Sequence, residues 1–198
     1  MTQARRLVLA TTSRHRRAQL EALGIEHLAV APTYEEDHAR ALGPDAMAIE
    51  FARGKAESLA RDYPDALIVG ADQTMSEPLT KPQTVERAVE QLMLLQGRTH
   101  RLYSAVALHD ASRGTTTHRL VVHHMTMRTL TRALAEAYVA RDRPLDCVGS
   151  YRVEGTGALL FTELRGDDHT AIVGLPIAAM ASLLADAGFD LLSAALRG

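Results

Sequence analysis

Short unbroken apolar runs alternate along this chain with segments in which apolar side chains recur every three or four residues. Residues 7–10 (Leu-Val-Leu-Ala) are such a run and predict a short buried strand. The polar turn Thr11-Thr12-Ser13 follows, then a basic segment over 14–23 that reads as a helix stopped by Gly24. A second strand is predicted over 27–31, leading into the acidic loop Tyr34-Glu35-Glu36-Asp37. From 45 to 61, Ile49, Ala52, Ala56 and Leu59 keep helical spacing. Lys55 falls beside that stripe, where its stem packs and its ammonium points outward. Residues 67–71 (Leu-Ile-Val-Gly-Ala) predict a strand buried on both faces that ends at Asp72. A helix over 85–95 is bracketed by Thr84 as N-cap and Gly97 as stop.

The middle of the chain changes period. Residues 100–109 and 115–129 are extended and rich in β-branched residues, and Ser112-Arg113-Gly114 joins them as a hairpin. A helix over 132–141 and a glycine-punctuated stretch over 149–157 come next. A strand over 159–164, the segment 171–173 and a C-terminal helix opening near Pro176 complete the chain. This pattern predicts a mixed α/β protein with a long antiparallel portion, built as two lobes around a central cleft.

Composition narrows the picture. A chain of 198 residues with 46% hydrophobic and 23% charged residues suits one domain, or two small lobes sharing a core. We take residues 1–198 as a single domain. The net charge is −2 and no long basic run occurs, so nucleic acid is not an expected partner. The apolar run behind Arg5 and Arg6 is too short for a signal-peptide core, and no stretch approaches a membrane span. The single cysteine, Cys147, leaves no internal disulfide. A cytoplasmic protein with no membrane partner is expected.

Three groups of residues carry candidate chemistry. Thr11-Thr12-Ser13 opens a helix whose free N–H groups and dipole favour an anion, and arginines in its first turn ask for a negative ligand. As a solvated face, the same residues would leave Ser13 an ordinary N-cap. Asp72, with Glu35 and Glu36, offers hard oxygen ligands for Mg²⁺ or a group to orient water. Taken singly, these are turn and surface carboxylates. Lys55 and Lys81 are cations of the kind that hold phosphates, Lys81 being followed by Pro82. No P-loop or dinucleotide fingerprint is present, and the nine histidines match no zinc spacing. Cys147, His100 and His109 read as packed or surface residues. His123 and His124 point to opposite faces of a strand.

The order of these blocks resembles that of the Maf family. Leu9-Ala10-Thr11-Thr12-Ser13-Arg14-His15-Arg16 is similar to the family's opening L-A-S-x-S-P-R-R. Glu35-Glu36, Lys55, Gly70-Ala71-Asp72, Lys81-Pro82 and Gly97-Arg98-Thr99-His100 follow in the family's sequence. Gly149-Ser150-Tyr151, Glu154-Gly155 and Val173-Gly174-Leu175-Pro176 continue it to near the end of the chain. Arg14 replaces the signature proline, His15 replaces an arginine, and the loop over 73–81 is shorter than usual, which bears on the geometry around Lys81.

The resemblance implies a Maf/Ham1-like α/β fold with a mixed twisted sheet and flanking helices. It also implies hydrolysis of a nucleoside triphosphate between the α- and β-phosphates with Mg²⁺ or Mn²⁺. By the same resemblance Ser13, Arg16, Lys55 and Lys81 look like the phosphate clamp, and Glu36 and Asp72 like the metal and water site. Glu36, Lys55, Asp72 and Lys81 are the expected catalytic set. Asp72 stands as either metal ligand or base.

His15, Gln73 and Glu154 fall where the family's pyrimidine branch carries arginine, threonine and glutamine. Its 7-methyl-GTP branch carries an aromatic residue, glutamine and glutamate there. Ionised Glu154 only accepts, which suits the paired N–H donors of guanine better than the donor–acceptor pattern of uracil. An aromatic ring at His15 can stack on a cationic methylated base. We therefore favour 7-methyl-GTP, with dTTP or UTP as the alternative within the family. A non-catalytic, nucleotide-binding regulator of cell division is the alternative of another class. A homodimer is consistent with the family.

Overall fold

The computed structural model describes residues 5–197. Its elements are β1 (Leu7–Ala10), α1 (Arg14–Ala22), β2 (Leu28–Val30), α2 (Pro44–Glu57), β3 (Leu67–Met75) and α3 (Val85–Leu95). There follow β4 (Thr99–Asp110), β5 (Thr115–Met127), α4 (Arg132–Asp142), 3-10 turns at Val148–Ser150 and Thr156–Leu160, and β6 (Phe161–Arg165). The chain closes with α5 (Thr170–Val173), α6 (Ile177–Asp186) and α7 (Leu191–Ala195). The six strands form one mixed sheet in the order β2-β1-β3-β4-β5-β6. Strand β1 runs parallel to β2 and β3, whereas β5 and β6 are antiparallel. No helix among the described residues is long and apolar enough to cross a membrane.

The chain divides into two compact units. The first comprises residues 1–73, 104–121 and 168–198. Its core follows from the period of two along β1 and β3. Leu7 and Leu9, with Leu67, Val69 and Ala71, pack with Leu20 and with Met180, Leu183 and Leu184 of α6. Val8, Ala10 and Ile68 face the other way and pack with Ala56 and Leu59. That alternation puts Asp72 on the α2 face of the sheet and Gln73 on the α5–α6 face.

Gly70 allows α2 to lie directly on β3. A Cβ there would stand 2.2 Å from the Ala52 carbonyl oxygen and 2.7 Å from the Ala56 nitrogen, both backbone atoms flanking Lys55. Gly70→Ala is expected to cost about 3 kcal/mol of stability, the upper end of an overpacking penalty. A loss below about 1 kcal/mol in urea unfolding would mean that α2 slides away at little cost.

The second unit comprises residues 74–103 and 122–167. Helix α3 buries Ala88, Val89, Leu92 and Leu95, the stripe of an amphipathic helix, and packs against α4. His100 is 1% exposed, and its Nε2 meets the Tyr151 hydroxyl at 2.9 Å. Burial lowers its pKa to about 4, so it is a neutral core residue. The Tyr151 and Phe161 rings pack edge-on with centroids 4.9 Å apart. The Gly97–His100 block therefore builds structure within its unit.

Three local expectations are corrected. Strand β3 does not end at Asp72 but runs on to Met75, because β4 continues as its neighbour after β1 has stopped opposite Gly70. Helix α2 ends at Glu57 rather than 61, where the Ser58 hydroxyl donates to the Lys55 carbonyl oxygen at 2.8 Å and competes with the helical ladder. The Lys55 ammonium does not point outward: the residue is 8% exposed and its charge is matched from within the first unit.

Candidate active site

Strand β1 and the helix behind it supply the first part of the site. Ser13 has extended backbone angles (φ −70°, ψ 120°), and its hydroxyl accepts from the Arg16 amide at 3.5 Å. Its own amide donates to Thr11 Oγ1 at 3.0 Å. Ser13 is thus the N-cap, and the first turn of α1 carries Arg14, His15 and Arg16 with no acidic residue. A helix N-terminus whose dipole is opposed by cations is a place where an anion is stabilised.

The second part is an ion triad. Lys55 Nζ lies 2.6 Å from Asp72 Oδ1 and 2.6 Å from Glu36 Oε1. Helix α2 brings Lys55 to the sheet, β3 brings Asp72, and the loop between β2 and α2 brings Glu36. Asp72 is 8% exposed, and burial pushes its pKa up. The Lys55 and Arg16 charges act in the opposite direction and favour the carboxylate. Burial likewise lowers the pKa of Arg16, while Asp72 and Glu36 raise it. Arg16 stays charged throughout, as arginine does in proteins. Arg16 Nε donates to the Gly174 carbonyl oxygen at 2.9 Å, which fixes one edge of the planar guanidinium. Glu36 also meets His38 Nε2 at 3.2 Å.

Two carboxylates sharing one ammonium form a hard-oxygen donor set. It fits a divalent cation of the Mg²⁺ class, which usually takes one or two carboxylates beside a substrate phosphate. Glu36 and Asp72 are the residues that would hold it.

The first unit gathers Ser13, Arg16, Lys55, Asp72 and Glu36 by bonds or by charge, and places His15 in the same helical turn as Arg16. Gln73 belongs to the same unit, and its Nε2 donates to Ser104 Oγ at 3.0 Å and toward the carbonyl oxygens of Ala171 (2.9 Å) and Ile172 (3.2 Å). Lys81 and Glu154 belong to the second unit. Lys81 is exposed on the loop before α3, whose Thr80 carbonyl oxygen accepts from Gln91 Nε2 at 2.8 Å. The Glu154 side chain is one-third exposed (33%) and lies 3.6 Å from Arg152 Nε.

Several residues around the site carry no sequence signal that singled them out. Gln19 and Ser104 act through contacts to backbone carbonyls that no spacing announces, whereas Gly174 stands in the Val173-Gly174-Leu175-Pro176 block, which gave it no role. Asp168 is different: Asp-x-Thr at 168–170 is a helix-opening pattern. Its Oδ1 accepts from the Thr170 amide (3.0 Å) and hydroxyl, and its Oδ2 from the Ala178 amide at 3.0 Å.

A family profile described as Maf-like protein matches residues 6–187. The chain is 37% identical over 190 residues to a 7-methyl-GTP pyrophosphatase of Syntrophotalea carbinolica, an alignment covering 94% of this chain and 96% of that one. It is 40% identical over 189 residues to a 7-methyl-GTP pyrophosphatase of Xanthomonas axonopodis pv. citri, covering 94% and 98% respectively. Among solved structures, a HAM1 protein from Coxiella burnetii matches with 17% identity and a TM-score of 0.43, over 62% of this chain and 73% of that one.

Proposed function

The chain belongs to the family of Maf-like proteins, and from that membership we propose that it is a cytoplasmic nucleotide pyrophosphatase that hydrolyses 7-methyl-GTP between the α- and β-phosphates. The observation that carries this reading is the Glu36–Lys55–Asp72 triad in a chain whose curated relatives, 37% and 40% identical over nearly its full length, are 7-methyl-GTP pyrophosphatases. A divalent cation bound by Glu36 and Asp72 would supply Lewis-acid stabilisation of the phosphate oxygens. The α1 N-terminus with Ser13, the Arg16 fork and the Lys55 ammonium neutralise the polyphosphate. Lys81 joins them through the family resemblance. Asp72 serves that cation or, as the alternative role, orients the attacking water and accepts its proton. His15, Gln73 and Glu154 are the residues assigned to the base side, and Glu154 discriminates by accepting from guanine N–H groups.

Pyrophosphate release from 7-methyl-GTP, GTP, dTTP, UTP and CTP, with Mg²⁺ or Mn²⁺ and with EDTA, tests the proposal. Metal-dependent release dominated by 7-methyl-GTP supports it. Release mainly from dTTP or UTP keeps the chemistry and discards the base assignment. No release from a folded protein points to a binding regulator. On specificity, Glu154→Gln is expected to lower the 7-methyl-GTP to UTP ratio of kcat/KM by about tenfold. An unchanged ratio would remove Glu154 from base reading.

A further inference from the structure

The loop between β2 and α2 comes back along α2 as a strap. Thr33 ties it to the end of the helix: its amide donates to Ser58 Oγ at 3.2 Å and its hydroxyl to the Ser58 carbonyl oxygen at 3.3 Å. The Tyr34 ring then lies over Gly54, where a Cβ would stand 2.3 Å from Tyr34 Cε2. A glycine inside a helix weakens it, and here its bare backbone is the seat for that ring. Further on, Glu36 meets Lys55, the His38 ring stands edge-on to Phe51, and Arg40 pairs with Glu50. Ser58, Lys55 and Phe51 are three and four residues apart, so they share one face of α2. The strap therefore descends that face from its C-terminal end, all within the first unit.

This path sets where Glu36 sits. Asp37 Oδ1 accepts from the Ala39 amide at 3.0 Å, a turn formed by an aspartate with its own backbone two residues on. At that turn His38 Nε2 lies 3.2 Å from Glu36 Oε2, while Lys55 Nζ lies 2.6 Å from Oε1. A carboxylate only accepts, so the ring nitrogen that faces it is the N–H. Each oxygen has its own donor, and each keeps a second lone pair for a cation. The His38 and Phe51 rings are 5.0 Å apart between centroids with 86° between their planes. Phe51 is fully buried, so the His38 ring rests on a part of the core.

We infer that His38 is a positioning residue for Glu36: docked on Phe51, it holds the second carboxylate oxygen and presets Glu36 for the cation shared with Asp72. The inference rests on the proposed function for the cation, but not for the path of the strap. Carboxylates that ligate metals depend on such outer partners for their orientation, and losing one lowers metal affinity by about 10–100-fold.

Mn²⁺ binding to the nucleotide-free protein, followed by electron paramagnetic resonance, tests it beside pyrophosphate release from 7-methyl-GTP at graded Mn²⁺. His38→Phe keeps a ring for Phe51 and removes the donor. It is expected to weaken Mn²⁺ binding by about tenfold and to raise the Mn²⁺ needed for half-maximal turnover equally. At saturating Mn²⁺, kcat should stay within about twofold of wild type. His38→Gln returns an N–H donor and should recover binding to within about threefold of wild type. An affinity for Mn²⁺ in His38→Phe within about twofold of wild type would overturn the inference. So would a His38→Gln variant that binds no tighter than His38→Phe, because the ring and not its donor would then matter. A wild type that binds no Mn²⁺ overturns the inference together with the cation site. A wild type that binds Mn²⁺ but hydrolyses no nucleotide removes the pyrophosphatase reading, while the binding comparison still decides the role of His38.

Discussion

Asp72→Asn is expected to lower pyrophosphate release by about 10³-fold or more while leaving the protein folded. Asparagine keeps the size of the side chain and an oxygen to accept from Lys55 Nζ, now 2.6 Å away, but removes the charge that a metal or an attacking water needs. The fold should not suffer. Burial pushes the Asp72 pKa above its ordinary value of 3.8, so folding favours its protonated form. The stability linked to that shift is present below the ordinary carboxylate range and is lost as pH rises through the raised pKa. At neutral pH the native aspartate therefore costs stability that asparagine does not. Lys55 keeps a carboxylate partner in the variant, Glu36 Oε1 at 2.6 Å, so the ammonium is not stranded. Urea unfolding in EDTA should therefore find the variant at least as stable as wild type at neutral pH. Turnover within a factor of ten of wild type would remove Asp72 from the chemistry. A collapse of stability would show that the ion triad holds the fold as well.

The fold was legible where periodicity is strong. The stripe over 85–95, the hairpin arms on either side of Gly114 and the first strand all appear within a residue or two of expectation, because each has a clear period and a chemical stop. The end of β3 was not legible. A charged residue after an apolar run reads as a strand exit, yet β3 continues alongside β4, and Lys55 matches the Asp72 charge from the packed helix. That partner lies 17 positions away, outside any local window. The same blindness explains Lys55 itself, since a lysine beside an apolar stripe turns inward only when carboxylates await it. Ser13 as an N-cap was readable because capping is local chemistry. The loop at 170–175 was not, because Gln19, Gln73 and Ser104 bond to backbone carbonyls, and any sequence supplies those. The motif order along the chain identified the family, while the physics of each residue appeared only with the contacts.

Lys55→Met should cost both activity and stability, and the two losses should separate on a second substitution. Methionine preserves the packed stem but removes the one ammonium shared by Glu36 and Asp72 at 2.6 Å each. Asp72 is then a buried carboxylate without its nearest cation, and breaking a buried pair from one side costs about 3–5 kcal/mol. The deficit arises from a carboxylate whose pKa rises further once Lys55 is gone. It should be greatest at neutral pH and shrink as pH falls toward the carboxylate range. Turnover should fall by about 10²-fold or more with the loss of a phosphate-neutralising cation. Adding Asp72→Asn to Lys55→Met removes the stranded charge, so most of the lost stability should return while activity stays absent. Urea unfolding of both singles and the double at pH 7.5 and pH 5, beside turnover, completes the cycle. If Lys55→Met costs less than about 1 kcal/mol at pH 7.5, or if Asp72→Asn restores none of the loss, the two residues are not the coupled pair described here. In that case Lys55 would serve the reaction without holding the fold around it.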